Sequence, residues 1–324
     1  MIVVTGGAGF IGSAFVSKLN REGITDIVIV DELGASDKWK NLVHNRYADY
    51  VHKDHFIEMI GEDNIPFGIE AIVHMGACSS TTERDADYLM ENNYHYTCCL
   101  AEWALEHKVR FIYASSAATY GDGAQGFSDD HESTRTLHPI NMYGYSKQLF
   151  DLWVLRRGVE DEIAGIKFFN VFGPNEYHKE DMTSVVFKAF HQIRETGKVR
   201  LFKSYRPEYG DGEQMRDFVY VKDCTDVIWW LLNHPEANGI FNLGTGKART
   251  WNDLIQAVFA ALILPRQIEY IEMPEAIRDQ YQYFTEAKMD KLERAGCPVK
   301  FRSLEDAVYD YVVHYLQTAD PYLK

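Results

Sequence analysis

Met1-Ile2-Val3-Val4-Thr5-Gly6-Gly7-Ala8-Gly9-Phe10-Ile11-Gly12-Ser13-Ala14 decides the fold of this chain. A β-branched apolar run ends at Thr5, glycines fill the turn, and a pattern of helical period follows. The spacing satisfies both Gly-x-Gly-x-x-Gly (Gly7, Gly9, Gly12) and Gly-x-x-Gly-x-x-Gly (Gly6, Gly9, Gly12). Between a strand and a helix, such glycines allow a tight turn, let the backbone approach a pyrophosphate, and let the helix pack against the strand. The same pattern also fits a plain tight turn. Its place between strand and helix, with Asp31 closing the next strand, favours a dinucleotide site on Gly6, Gly9, Phe10, Ile11 and Gly12.

Outward from that turn, Asp26–Asp31, Glu70–Met75, Val109–Ser115 and Gly165–Asn170 are further short apolar runs. Gly12–Glu22, Arg84–His107 and Tyr143–Gly158 carry helical patterns between them. This alternation predicts an α/β fold, a Rossmann-type doubly wound parallel sheet. After Gly173-Pro174 the rhythm breaks into a loop over 175–182, a helix near 183–197 and a Gly/Tyr/Pro-rich stretch, Ser204–Gln214. We therefore expect an NAD(P)-binding domain over residues 1–169 and a smaller α/β substrate-binding lobe over 170–324. Segments near 216–246 are expected to return to the first domain.

The 48 acidic against 33 basic residues leave a net charge of -15, which repels nucleic acid over most of the surface. No run reaches the roughly 18 apolar residues of a membrane span. Five cysteines without Cys-x-x-Cys spacing point to a reducing, cytoplasmic setting, and no His/Cys/carboxylate spacing suggests a metal. His74 reads as a satisfied strand-end histidine.

At the adenosine end, Asp31 would accept from ribose hydroxyls and so favour NAD. Lys38 and Lys53 lie close behind in sequence, and either ammonium would neutralise the 2′-phosphate of NADP; as surface charges they would do neither. Tyr143-Gly144-Tyr145-Ser146-Lys147 places Tyr143 and Lys147 on one helical face, one turn apart. Bringing a tyrosine from about 10 to near 7 takes about 4 kcal/mol of differential stabilisation. Lys147, the nicotinamide charge and partial burial would supply it together. The strand Phe111–Ser115 runs into Ser116, whose hydroxyl can bond a reacting hydroxyl at the sheet's carboxyl edge.

With these motifs, Phe169-Asn170-Val171-Phe172-Gly173-Pro174, Arg216-Asp217-Phe218-Val219-Tyr220-Val221 and Asn242-Leu243-Gly244-Thr245-Gly246, the chain resembles the extended short-chain dehydrogenase/reductases that modify nucleotide sugars. The resemblance implies Ser116, Tyr143 and Lys147 as catalytic triad, Asn170 as a sugar contact and Arg216 as a clamp on the diphosphate. It implies cofactor contacts at Glu32, Met75, Gly76, Ala77, Cys78, Ser79, Asn92 and Val171 as well. Dehydratases of that family carry Asp-Glu where Ala117-Ala118 stand here, so epimerisation or net redox is expected.

Gly76–Glu83, Asn92-Asn93-Tyr94, His178-Lys179, Leu201-Phe202 and Tyr281-x-x-Phe284-Thr285 resemble the branch that epimerises C6 of a nucleotide-bound heptose. That branch implies NADP, with NAD possible, as a retained cofactor and Lys179 as a second proton-transfer group. It implies substrate contacts at Ser79, Asp181, Lys188, Phe202 and Tyr281, and a homo-oligomer, a pentamer in the family. Asp181 and Lys188 replace a serine and a histidine of that branch, and Ser204–Gln214 looks like an insertion. The competing readings are an epimerase acting at C4 of a UDP-hexose and a non-catalytic dinucleotide sensor or scaffold.

Overall fold

Ile2–Thr5 forms β1, buried at every residue and paired in parallel on both edges, so that Ile2 lies opposite both Ile27 and Ala71. A strand covered on both faces has no reason to alternate polar with apolar residues, which is why it reads as one apolar run. The computed structural model describes residues 1–278 and 281–324. From β1 the chain passes through α1 (Phe10–Arg21), β2 (Ile27–Asp31), β3 (Asp49–His52), α2 (Lys53–Gly61) and β4 (Ala71–His74). Next, α3 (Ala86–Leu89) runs through a π-helical stretch, Met90–His95, into α4 (Tyr96–Glu106). Then come β5 (Arg110–Ser116), α5 (His131–Arg135), α6 (Met142–Arg157) and β6 (Ala164–Phe168).

The later elements are β7 (Asn170–Phe172), α7 (Val185–Thr196), β8 (Val199–Phe202), β9 (Met215–Tyr220), α8 (Val221–Asn233), β10 (Gly239–Leu243) and β11 (Ala248–Thr250). They are followed by α9 (Trp251–Ala261), β12 (Ile268–Ile271), α10 (Glu275–Arg278), α11 (Asp290–Arg294) and α12 (Leu304–Tyr311).

The main sheet has seven strands in the order β10-β6-β5-β4-β1-β2-β3, every pair parallel. Phe15, Leu19, Val227 and Ile228 of α1 and α8 cover one face, and Phe56, Leu100 and Trp153 of α2, α4 and α6 cover the other. The doubly wound Rossmann sheet expected from the alternation is therefore what forms. Its winding reverses at β1 and β4, and ligands of such sheets bind in the crevice at the carboxyl ends beside that reversal.

The expected single strand over 165–170 is instead two. The Phe169 amide closes the sheet by donating to the Leu243 carbonyl (3.0 Å), and the chain then crosses into a three-stranded sheet ordered β11-β9-β7. The crossing brings Asn170 and Val171 to the carboxyl edge. Residues 216–246 divide between the sheets, β9 joining the small one and β10 the edge of the large one. A second core, including Phe190, Val258 and Tyr311, lies under α7, α9 and α12.

Candidate active site

The cavity at the carboxyl edge holds about 700 Å³, within the range of small-molecule sites. Its floor is the glycine turn. Gly6 has φ +62°, and a Cβ there would stand 2.6 Å from the Gly76 amide nitrogen of the loop after β4. A Cβ on Gly12 would stand 2.1 Å from the Gly6 carbonyl oxygen, so α1 packs onto its own turn only because that atom is absent. Gly9 caps α1 with no side-chain hydrogen bond, which leaves the first-turn amides available to an anion.

Asp31 ends β2 and reaches back to fix this turn. Its Oδ2 accepts from the Ala8 amide (2.8 Å), while Oδ1 accepts from the Glu32 amide (2.7 Å) and from Lys38 Nζ (2.5 Å). Lys53 Nζ donates to Asn92 Oδ1 (3.2 Å) and lies 3.4 Å from Glu32 Oε2. Asp31, Glu32, Lys38, Lys53 and Asn92 thus form one polar end of the cavity.

His74 is fully buried in a directed chain of hydrogen bonds. Thr97 Oγ1 donates to the Asn93 carbonyl (2.6 Å), so it accepts from His74 Nε2 (2.9 Å); Nδ1 is left to accept from Thr5 Oγ1 (2.6 Å), which itself accepts from the Gly76 amide. Burial, with the Lys147 charge nearby, pushes the imidazole down to about 3. It is neutral and structural.

Asn93, in the π-helical stretch, clamps the other side of this loop. It accepts from the Cys78 amide (2.8 Å) and donates to the Cys78 carbonyl (2.9 Å) and to Ser146 Oγ (3.0 Å) on α6. Met75, Gly76, Ala77, Cys78 and Ser79 are thereby held along the cavity wall. The extra backbone residue of a π turn re-aims a side chain in this way.

Helix α6 begins at Asn141, whose side chain accepts from the Gly144 amide (2.7 Å), and it delivers Tyr143 and Lys147 to the cavity one turn apart. Ser116 closes β5 beside them. Burial pushes the Tyr143 phenol up, and the Ser116 hydroxyl pulls it back. Burial pushes the Lys147 ammonium down to about 8, with Asp151 and Cys78 pulling it up. Among the described residues no group accepts a hydrogen bond from Lys147 Nζ.

Asn170, Val171 and Lys179 complete the wall from the second lobe, with Phe218, Trp251 and Leu254. Lys179 Nζ stands 5.2 Å over the Phe10 ring; burial lowers its pKa, while Glu176 pulls it up and Lys188 lowers it further. Asp181, Lys188, Phe202, Arg216 and Tyr281 lie outside this lining. Lys188 Nζ donates to the Asp181 carbonyl (2.5 Å). Arg216 is held between Trp251 and Tyr281, 5.7 and 5.4 Å from their ring centres, and donates to the Met215 and Gln282 carbonyls.

The NAD dependent epimerase/dehydratase family matches residues 2–244, three quarters of the chain. The chain belongs to this family. It is 63% identical to the ADP-L-glycero-D-manno-heptose-6-epimerase of Nitratidesulfovibrio vulgaris strain DP4 and 49% identical to that of Fusobacterium nucleatum, with both chains covered in full in each comparison. The crystal structure of the Helicobacter pylori ADP-L-glycero-D-manno-heptose-6-epimerase superposes with a TM-score of 0.82 at 26% identity, over 97% of this chain and 95% of that one.

The family's nicotinamide cofactor fits the residues present. A Cβ on Gly9 would stand 3.0 Å from the Gly6 carbonyl oxygen and 3.9 Å from Lys38 Cε, and Gly9 itself lines the cavity. A buried ammonium without a protein acceptor suits ribose hydroxyls. Several residues of the site escaped sequence reasoning, among them Asn93, Thr97, Tyr88, Phe218 and Trp251.

Proposed function

We infer that this chain is an ADP-heptose epimerase, inverting C6 of ADP-D-glycero-β-D-manno-heptose to give the L-glycero epimer used in lipopolysaccharide inner cores. What carries the reading beyond kinship is that Tyr143 and Lys179, two proton-transfer groups from different lobes, line one cavity with the glycine cradle. The glycine turn Gly6–Gly12 would hold the nicotinamide dinucleotide, which would supply a hydride acceptor and donor at C6.

Ser116 hydrogen-bonds the reacting hydroxyl, and Tyr143 receives its proton as phenolate. Within the protein alone burial disfavours that phenolate, so Lys147 and the positive nicotinamide ring must supply the compensating charge. Lys179, its ammonium destabilised by burial, exchanges the proton on the opposite face. Trp251, Phe218 and Val171 exclude water while the oxidised sugar turns. Asn170 and Ser79 hold the sugar; Arg216, with Phe202 and Tyr281 behind it, serves the diphosphate end, and Asp181 and Lys188 form the outer rim.

NADP is the proposed dinucleotide. Lys38 already neutralises Asp31, and Lys53 stands at the same end, an arrangement suited to a 2′-phosphate. The proposed division is a cofactor domain over 1–169 and a substrate lobe over 170–324, with part of 216–246 in the first. We place the enzyme in the reducing cytoplasm, consistent with its five free cysteines, as a homo-oligomer, a pentamer on the family pattern. No helix among the described residues is long and apolar enough to cross a membrane. Following C6 configuration by NMR after adding the D-glycero substrate tests the function. Folded, cofactor-loaded protein that leaves it unchanged overturns the reading.

A further inference from the structure

Behind the cavity wall lies an ion pair that the reaction as described does not use. Asp151 and Lys167 are both wholly buried, with Lys167 Nζ 2.6 Å from Asp151 Oδ2. Asp151 Oδ1 also accepts from Tyr113 OH (2.9 Å), and Oδ2 from Ser115 Oγ (2.7 Å). Lys167 Nζ donates to Thr119 Oγ1 (2.7 Å), which in turn donates to the Ser116 carbonyl (2.8 Å). The two residues that end β5 are thus each tied to one member of the pair, Ser115 to the carboxylate and Ser116 to the ammonium.

Asp151 sits four residues after Lys147, the spacing at which a lysine and a carboxylate on one helical face pair directly. They do not pair here, because the carboxylate is already engaged by Lys167, Ser115 and Tyr113. Three buried charges, Lys147, Asp151 and Lys167, therefore leave one net positive charge beside the phenol that must ionise. Tyr143 and Asp151 face Lys147 from its own helix, His74 from β4 and Cys78 from the following loop. His74 is neutral, which leaves Asp151 as the anion acting on Lys147.

We propose that Asp151 and Lys167 are positioning residues for the catalytic wall: the pair fixes Ser116, and Lys167 keeps Asp151 from drawing Lys147 out of the cavity while the carboxylate's field keeps that ammonium charged. A buried pair kept only for packing would be replaceable at little cost. This one is tied to both residues that end the triad's strand, directly to Ser115 and through Thr119 to the Ser116 carbonyl. The proposal rests on the triad assigned above.

Two variants separate positioning from packing because they move Lys147 in opposite directions. In Lys167→Met, Asp151 is released to pair with Lys147. The turnover number should fall about 10–100-fold with KM little changed, and the alkaline limb of its pH profile should move up. In the charge-balanced Asp151→Asn/Lys167→Gln variant, Lys147 loses its supporting anion, so the limb should move down by about one pH unit. This variant keeps hydrogen-bonding amides at both positions and guards against simple misfolding.

The second readout needs no turnover. The Tyr143 phenolate, isolated as the ultraviolet difference between each protein and its Tyr143→Phe counterpart, should appear at higher pH in Lys167→Met than in the wild-type holoenzyme, because the released Asp151 then offsets the Lys147 charge beside the phenol. Should wild-type protein fail to epimerise the heptose, the functional assignment falls and the phenolate titration still decides the pair. Cofactor-loaded variants in which neither the alkaline limb nor the phenolate titration moves would overturn the proposal.

Discussion

At the residue scale, Tyr143 and Lys179 carry the strongest expectations. Tyr143→Phe removes the proton acceptor while keeping the ring, so the turnover number should fall about 10²–10⁴-fold with the cofactor still bound. Lys179→Met should lose turnover over the same range. A Lys179→Met enzyme with normal turnover would remove the second base from the mechanism. His74 makes a prediction about stability. Its folded value, about 3, lies below its ordinary 6.5, so its contribution is fully present above pH 6.5 and is lost as pH falls toward 3.

The loss approaches about 1.4 kcal/mol per pH unit inside that window. His178, pushed down to about 4 by burial, acts in the same direction. Urea midpoints measured at pH 7 and pH 5 should therefore differ less in His74→Gln than in wild type; equal differences would contradict the assignment. That Tyr143 and Lys147 reach one cavity from one helical face was legible in the sequence because four residues separate them, and Ser116 joins them there from the end of an apolar run. Asn93 and Thr97 were not, since their partners, Cys78, Ser146 and His74, meet them only through the fold.

At the element scale, the glycine turn separates two kinds of constraint. Gly12→Ala puts a methyl against the Gly6 carbonyl in the protein itself, which should cost about 1–3 kcal/mol and lower the melting temperature even without cofactor. Gly9→Ala meets protein far less closely, so the apo protein should melt near the wild-type temperature and retain less dinucleotide after purification. Equal melting losses in the two variants would show that the Gly9 position is constrained by the fold rather than by the ligand.

Five strands of the large sheet were readable because burial on both faces leaves an uninterrupted apolar run, as in Ile27–Asp31 and Ala71–His74; β3, exposed at Asp49 and His52, and β10 were not. The break at Phe169 was not, because an apolar run gives no sign of where a chain changes sheets. The pairing of β9 with β7 and β11 depends on residues far apart in sequence.

At the scale of the whole molecule, the net charge of -15 leaves local donors to recruit an anionic substrate. The nucleotide preference is a difference in binding to the folded state and is read from melting temperature. ADP should raise it more than UDP, and a larger shift with UDP would favour a UDP-hexose enzyme. Composition and motif order sufficed for the Rossmann-type parallel sheet. The lower wall of the cavity was hidden because Trp251 and Phe218 come from a helix and a strand with no local chemical signature, while Arg216 is turned toward the rings of Trp251 and Tyr281.

A dinucleotide retained in the site would leave the hydride lost from C6 no route but back to C6. Purified protein is incubated in heavy water with ADP-D-glycero-β-D-manno-heptose and no added dinucleotide, and C6 is followed by NMR. The L-glycero epimer is expected with hydrogen, not deuterium, at C6. Deuterium at C6, or no interconversion by the folded, cofactor-loaded protein, would contradict it.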